Sequence, residues 1–141
     1  MVKLPVSTTE ARQTRSYNKS RKGKYNANGK RIDGHWFASS AEGTRYEQLK
    51  LMQEAGKIDN LTLQPSYQIV HAGKPITTYR ADFRYVVLNE LGRSESVIVE
   101  DVKGMVTDVY VIKKKLVEAQ YNLTINEIPS RDVDKWVDRT P

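Results

Sequence analysis

"ITTYRADFRYVVLNELGRSESVIVEDVKG", residues 76–104, consists of two runs rich in β-branched and aromatic residues, joined by the turn residues of "NELG". That pattern predicts an antiparallel hairpin. Both arms carry acids where a buried strand wants none. Asp82 sits between Tyr79 and Tyr85, and the second arm ends in Glu100, Asp101 and Lys103. Alternate side chains of a strand share a face, so Asp101 and Lys103 project together with Val97 and Val99, while Glu100 and Val102 point the other way. An isolated buried carboxylate costs several kcal/mol unless it is paired, hydrogen-bonded or bound to a metal.

On the N-terminal side of the hairpin, "SSAEGTRYEQLKLMQEAGKI" (residues 39–58) puts Tyr46, Leu49 and Met52 on one helical stripe, with Gly56 as its stop. "LTLQPSYQIV" alternates weakly around Pro65, as an edge strand or a strand broken by a bulge does. After Gly104, residues 108–121 predict a second helix, with Val109, Ile112, Leu116 and Ala119 as its buried face and Lys113, Lys114 and Lys115 on the other side. "LTINEI" reads as a short last strand, and "SRDVDKWV" as a terminal helical turn seated by Val133 and Trp136. The predicted order is αβββαβ: an α/β fold in which helices flank a mixed β-sheet.

A chain of 141 residues with 38% hydrophobic content can fill one core. It contains no apolar run of the ~18 residues that cross a bilayer, and its first thirty residues lack the apolar segment of a secretory signal. With no cysteine, thiolate metal sites and Cys nucleophiles are excluded, and a reducing cytoplasm is the expected setting. The net charge of +6 is uneven: residues 1–34 hold nine Lys/Arg against Glu10 and Asp33, a balance of +7, so the remainder sums to −1. A basic, Gly/Asn/Ser-rich arm over residues 1–34, followed by a domain over 35–141, is the pattern of a polyanion-binding tail; a solvated end that aids solubility is the alternative.

Asp82 and Asp101 on adjacent strands suggest a divalent-ion site. Mg²⁺ takes oxygen ligands and is typically held by one or two carboxylates, with waters and substrate phosphate filling its shell. The Val102 carbonyl is a further candidate ligand. Lys103 would hold or activate the attacking water, or offset transition-state charge, during phosphodiester hydrolysis. Competing readings are a strand-end ion pair for Asp101 and Lys103, and a salt bridge from Asp82 to Arg80 or Arg84. Glu42 is a third acid, but Ser39-Ser40-Ala41-Glu42 is also a capping box. His35 and His71 lack zinc-site spacing, and no glycine loop followed by Lys-Ser/Thr is present, which excludes a P-loop.

Asp82 followed nineteen residues later by Asp101-Val102-Lys103 resembles the PD-(D/E)XK nuclease superfamily. Three stretches widen the match: "KYNANGKRIDGHWFASSAEGTRYEQLKLMQEAGKIDNLTLQPSYQI", "YRADFRY" and "VEDVKG…KKKL", spanning residues 24 to about 128. They look like a family of small phage-encoded endonucleases similar to phage Holliday-junction resolvases of the endonuclease I type. The residue before the strand acid is Ala81 rather than the superfamily's proline. The resemblance implies a site of Glu42, Asp82, Asp101 and Lys103, with Mg²⁺ as cofactor and Mn²⁺ able to substitute. It places Lys113, Lys114 and Lys115 against the DNA backbone, with Arg21, Lys22, Lys24, Lys30 and Arg31 of the arm as further contacts, unless the helix lysines are merely a solvated face. Gln64 falls near the expected site and would orient water or phosphate. The implied protein is a homodimeric, structure-selective endonuclease acting on branched DNA, in a host cytoplasm if phage-encoded. A nickase or restriction-like duplex nuclease and a non-catalytic nucleic-acid-binding module are the alternatives.

Overall fold

The computed structural model describes residues 28–139. A short hairpin, β1 (Lys30–Ile32) and β2 (His35–Phe37), precedes helix α1 (Ser40–Glu54). Five strands follow: β3 (Ile58–Leu63), β4 (Ser66–His71), β5 (Lys74–Arg80), β6 (Phe83–Leu88) and β7 (Ser94–Lys103). Helix α2 (Asp108–Tyr121), β8 (Ile125–Pro129) and a 3₁₀ segment (Ser130–Arg139) complete the chain. The expected α/β architecture holds, with a mixed sheet in the order β3-β6-β7-β8, antiparallel except for the parallel β7–β8 pair.

Two expected strands are each split in two. The "LTLQPSYQIV" run breaks at Gln64-Pro65 into β3 and β4, and the Ile76 run breaks at Ala81-Asp82 into β5 and β6. The breaks lie side by side and bridge each other: Gln64 N–H donates to the Asp82 carbonyl (2.8 Å) and Ala81 N–H to the Pro65 carbonyl (3.1 Å). Gln64 takes the left-handed backbone (φ +50°), a conformation a non-glycine residue adopts at a cost of order 1 kcal/mol. The bend swings β4–β5 out of the main sheet as a separate two-stranded ribbon.

Helix ends follow local chemistry. Ser39 caps α1 by accepting Glu42 N–H (3.2 Å), and Gly56 (φ +73°) closes it in a Schellman arrangement, with Lys57 N–H on Met52 O (3.0 Å) and Gly56 N–H on Gln53 O (3.1 Å). Thr107 caps α2 through Tyr110 N–H (3.1 Å), and left-handed Asn122 ends it.

Each face of the sheet carries its own core. On one side Tyr46 and Leu49 of α1, with Val133 of the 3₁₀ segment, pack on Phe83, Tyr85, Val87, Val102 and Ile128. On the other, Tyr110 and Val117 of α2 pack with Ile69, Tyr79, Ala81, Val99 and Ile125. The stripe Tyr46, Leu49, Met52 and the seats Val133 and Trp136 are as expected. The face of α2 is not: Val109, Ile112, Leu116 and Ala119 are exposed, and the helix is rotated so that Tyr110 and Val117 go inward. Lys113 and Lys114 are half-buried on that inward side, and their ammonium groups reach Thr78 O and Glu127.

The boundary expected at residue 34 is shifted as well. Lys30–Ile32 belongs to the first hairpin, whose Asp33 accepts Tyr46 OH (2.9 Å) and pairs with Lys50 (2.7 Å). Arg21, Lys22 and Lys24 lie outside the described residues. No helix among the described residues is long and apolar enough to cross a membrane.

Candidate active site

The bend between β5 and β6 sets Asp82 beside the end of β7. Its Oδ2 accepts Val102 N–H at 2.7 Å, and its carboxyl shares a hydrogen bond with Asp101. Among the described residues Asp82 makes no ion pair with Arg80 or Arg84, so the salt-bridge reading fails. Burial pushes the Asp82 carboxyl up to about 8, with the charges of Asp101 and Glu42 adding to the shift.

Asp101 is fully buried and held from two sides. Tyr79 OH donates to Oδ2, while Lys103 Nζ stands 3.0 Å from Oδ1 and 4.3 Å above the Tyr110 ring. Burial, then the bond to Asp101, raises the Tyr79 phenol well above its ordinary value, so it remains a donor. Asp101 and Lys103 thus share the α2 side of the sheet, as strand alternation predicts.

Glu42 lies in the first turn of α1, its carboxylate 3.2 Å from the Ser39 hydroxyl. Half of the capping box is therefore present, with the Ser39 oxygen on Glu42 N–H. Burial raises the Glu42 pKa against that hydrogen bond, and the charges of Asp101 and Lys103 both act on it. Glu42 is thus electrostatically joined to the strand acids.

Glu100 does point to the opposite face, where it is consumed by structure. Arg45 of α1 donates to it twice (2.9 and 2.6 Å) and to Gln48 (2.9 Å), Tyr85 OH donates to the same carboxylate, and Gln48 holds the Val133 carbonyl (2.8 Å). Burial alone would lower the Arg45 pKa; the Glu100 bond and charge more than offset it and leave it raised. The network touches the site through one backbone bond, Asp82 N–H to Glu100 O (3.1 Å).

Arg45, Tyr79, Tyr85, Tyr110 and Glu127 were not singled out by sequence. Glu127 pairs with Asp101 in the β7–β8 register and binds Lys114 (2.7 Å) and Tyr110 OH (3.2 Å). The one available signal was Arg45 beside Tyr46, in the helical turn that points Leu49 inward. Of the expected DNA contacts, Lys114 is committed to Glu127, Lys113 leans on Thr78 O (3.4 Å), and Lys30 is 3.7 Å from Glu47. Lys115 and Arg31 are exposed. Gln64 is exposed too, and its backbone holds the bend.

Among the described residues no three His, Cys, Asp or Glu side chains form a ready coordination group. Two contacting carboxylates, Asp82 and Asp101, are what the site offers directly, with only oxygen donors. That donor set suits Mg²⁺, which keeps most of its waters and needs one or two carboxylates. A family model described as "Protein of unknown function (DUF1064)" matches residues 22–131. No curated protein and no solved structure matches the chain.

Proposed function

We propose that this chain, which belongs to the DUF1064 family, is a metal-dependent DNA endonuclease with a PD-(D/E)XK-type core, acting on branched DNA such as four-way junctions in a host cytoplasm. One observation carries the reading: two carboxylates in mutual contact, half-buried Asp82 and fully buried Asp101, stand with an ammonium at 3.0 Å from Asp101, and a third acid, Glu42, is coupled to both. A fold that needed only stability would replace such a cluster with apolar groups. A bound divalent cation would supply Lewis-acid polarisation of the scissile phosphate.

The chain's own groups supply the rest. Asp82 and Asp101 would hold the cation, with the Val102 carbonyl and Glu42 as further oxygen donors. Tyr79 fixes the Asp101 carboxylate, so its orientation is set before any ligand arrives. Lys103 is held over the Tyr110 ring and beside Asp101, and its ammonium would act on the attacking water. It would orient that water or offset charge as the water oxygen bonds to phosphorus and releases a proton to solvent, the P–O ester bond breaks, and the departing sugar oxygen takes a proton from solvent.

Purified protein incubated with labelled four-way junction, nicked duplex and linear duplex, each with Mg²⁺ or EDTA, tests the substrate class. Paired symmetric cuts confined to the junction are expected. Equal cutting of linear duplex would replace this reading with a restriction-like nuclease, and binding without cleavage would leave a non-catalytic module.

A further inference from the structure

The first hairpin turns an aromatic side chain to solvent. Its loop is Asp33-Gly34, with φ +50° and +80°, between the paired Ile32 and His35, the type I′ geometry of a tight two-residue turn. Cross-strand partners share a face, so the pairs Lys30–Phe37 and Ile32–His35 point one way and the pair Arg31–Trp36 points the other. The inward pairs seat the hairpin: Phe37 is buried and stacks on Tyr46 of α1 at 5.0 Å, and Ile32 packs against the same core. On the outer face Trp36 is 58% exposed, and Arg31 is exposed with it.

Two glycines fix where the indole stands. A Cβ at Gly29 would lie 2.2 Å from Trp36 Cζ2 and 2.9 Å from the Phe37 carbonyl, so the ring rests on bare backbone that a larger residue would deny it. A Cβ at Gly43 would lie 2.3 Å from Lys30 Cε, so the hairpin crosses the first turn of α1 one residue from Glu42. We propose that Trp36, with Arg31 beside it, is a stacking platform for an unpaired nucleobase of the DNA, held next to the cleavage site. An indole presents a flat apolar face that any base can cover, and a neighbouring guanidinium can stack on the base or pair with its phosphate. Charge favours a nucleic-acid occupant: residues 1–31 hold nine Lys/Arg against Glu10 and run directly into β1, while Asp33, the acid of the hairpin, is paired with Lys50. Linear duplex hides its base faces in the stack, whereas a branch point interrupts the stack, so the platform favours branched over linear DNA. The identity of the occupant rests on the nuclease reading above; the geometry of the platform does not.

Binding is read in EDTA, where cleavage does not enter. In the full chain carrying Trp136→Phe, Trp36 is the remaining tryptophan, and its emission should be quenched by a short oligothymidylate strand and by a four-way junction, but not by an abasic strand of the same length. Trp36→Ala in the otherwise unaltered chain should raise the Kd for oligothymidylate about 5- to 100-fold by fluorescence anisotropy and leave the Kd for blunt linear duplex unchanged, with Trp36→Phe restoring most of the loss. Absence of quenching, equal quenching by the abasic strand, or a Trp36→Ala loss that is nil or the same on duplex would each overturn the platform. Mg²⁺-dependent cleavage with Trp36 unquenched would sink the platform and keep the nuclease, whereas base-dependent quenching without cleavage would do the reverse.

Discussion

Cutting the buried link between α1 and β7 should be among the costliest single changes in this fold. Arg45 is 0% exposed and sends two hydrogen bonds to Glu100, at 2.9 and 2.6 Å. Replacing Arg45 with Met keeps the stem and deletes the charge, which leaves the Glu100 carboxylate buried with Tyr85 OH as its remaining donor among these groups. Breaking one side of a buried pair costs about 3–5 kcal/mol. In a domain of this size a loss of ~3 kcal/mol lowers the thermal midpoint by roughly 10 °C. Urea unfolding monitored by tryptophan fluorescence should show the loss as a lower midpoint with an unchanged slope. Because the penalty arises from an orphaned charge rather than from a missing attraction, the double variant Arg45→Met/Glu100→Leu should recover most of it. A single-variant loss below ~1 kcal/mol, or a double variant as unstable as the two singles added together, would refute the reasoning.

Three further outcomes follow from the site. The Asp82 carboxyl, raised to about 8, binds its proton more tightly folded than unfolded, so in metal-free protein its contribution is complete below the ordinary carboxylate value and is lost as pH rises through about 8. The metal-free urea midpoint should therefore fall between about pH 4 and 8 and level off above, Asp82→Asn should flatten that fall, and Mg²⁺ affinity, which requires the proton to leave, should rise over the same window. Tyr79→Phe removes the donor on Asp101 Oδ2 and should lower cation affinity and turnover about 10- to 100-fold, measured by titration calorimetry and cleavage rate. Lys115→Ala should weaken DNA binding and reduce its salt slope by about one, measured by fluorescence anisotropy.

The hairpin was legible over its β6–β7 part because two strong β runs flank turn residues, though residues 76–80 pair with β4 instead, and Asp82 was conspicuous because acids are rare in such runs. The split of Glu100 from Asp101 and Lys103 followed from alternation alone, and the structure agrees, with Glu100 on Arg45 and Asp101 on Tyr79. The bend at Gln64-Pro65 and Ala81-Asp82 was not legible in full. Pro65 marked a break, but nothing local announces that Gln64 will take a left-handed backbone to bridge a neighbouring strand. The span of α2, residues 108–121, was readable from the apolar run after Gly104. Its inward face was not, because buried Tyr110 and Val117 are flanked by half-buried Lys113 and Lys114, a stripe that looks polar in sequence. The more regular stripe, Val109 to Ala119, pointed outward. Arg45 escaped notice since its partner lies 55 residues away.

Cleavage of a labelled four-way junction as Mg²⁺ is titrated, for the unaltered chain beside Asp101→Asn and Lys103→Ala, tests the metal-dependent nuclease reading most directly. The rate should rise with Mg²⁺ to a plateau, vanish in EDTA, and fall by several orders of magnitude in both variants. Cleavage that persists in EDTA, or that survives Asp101→Asn unchanged, would contradict it.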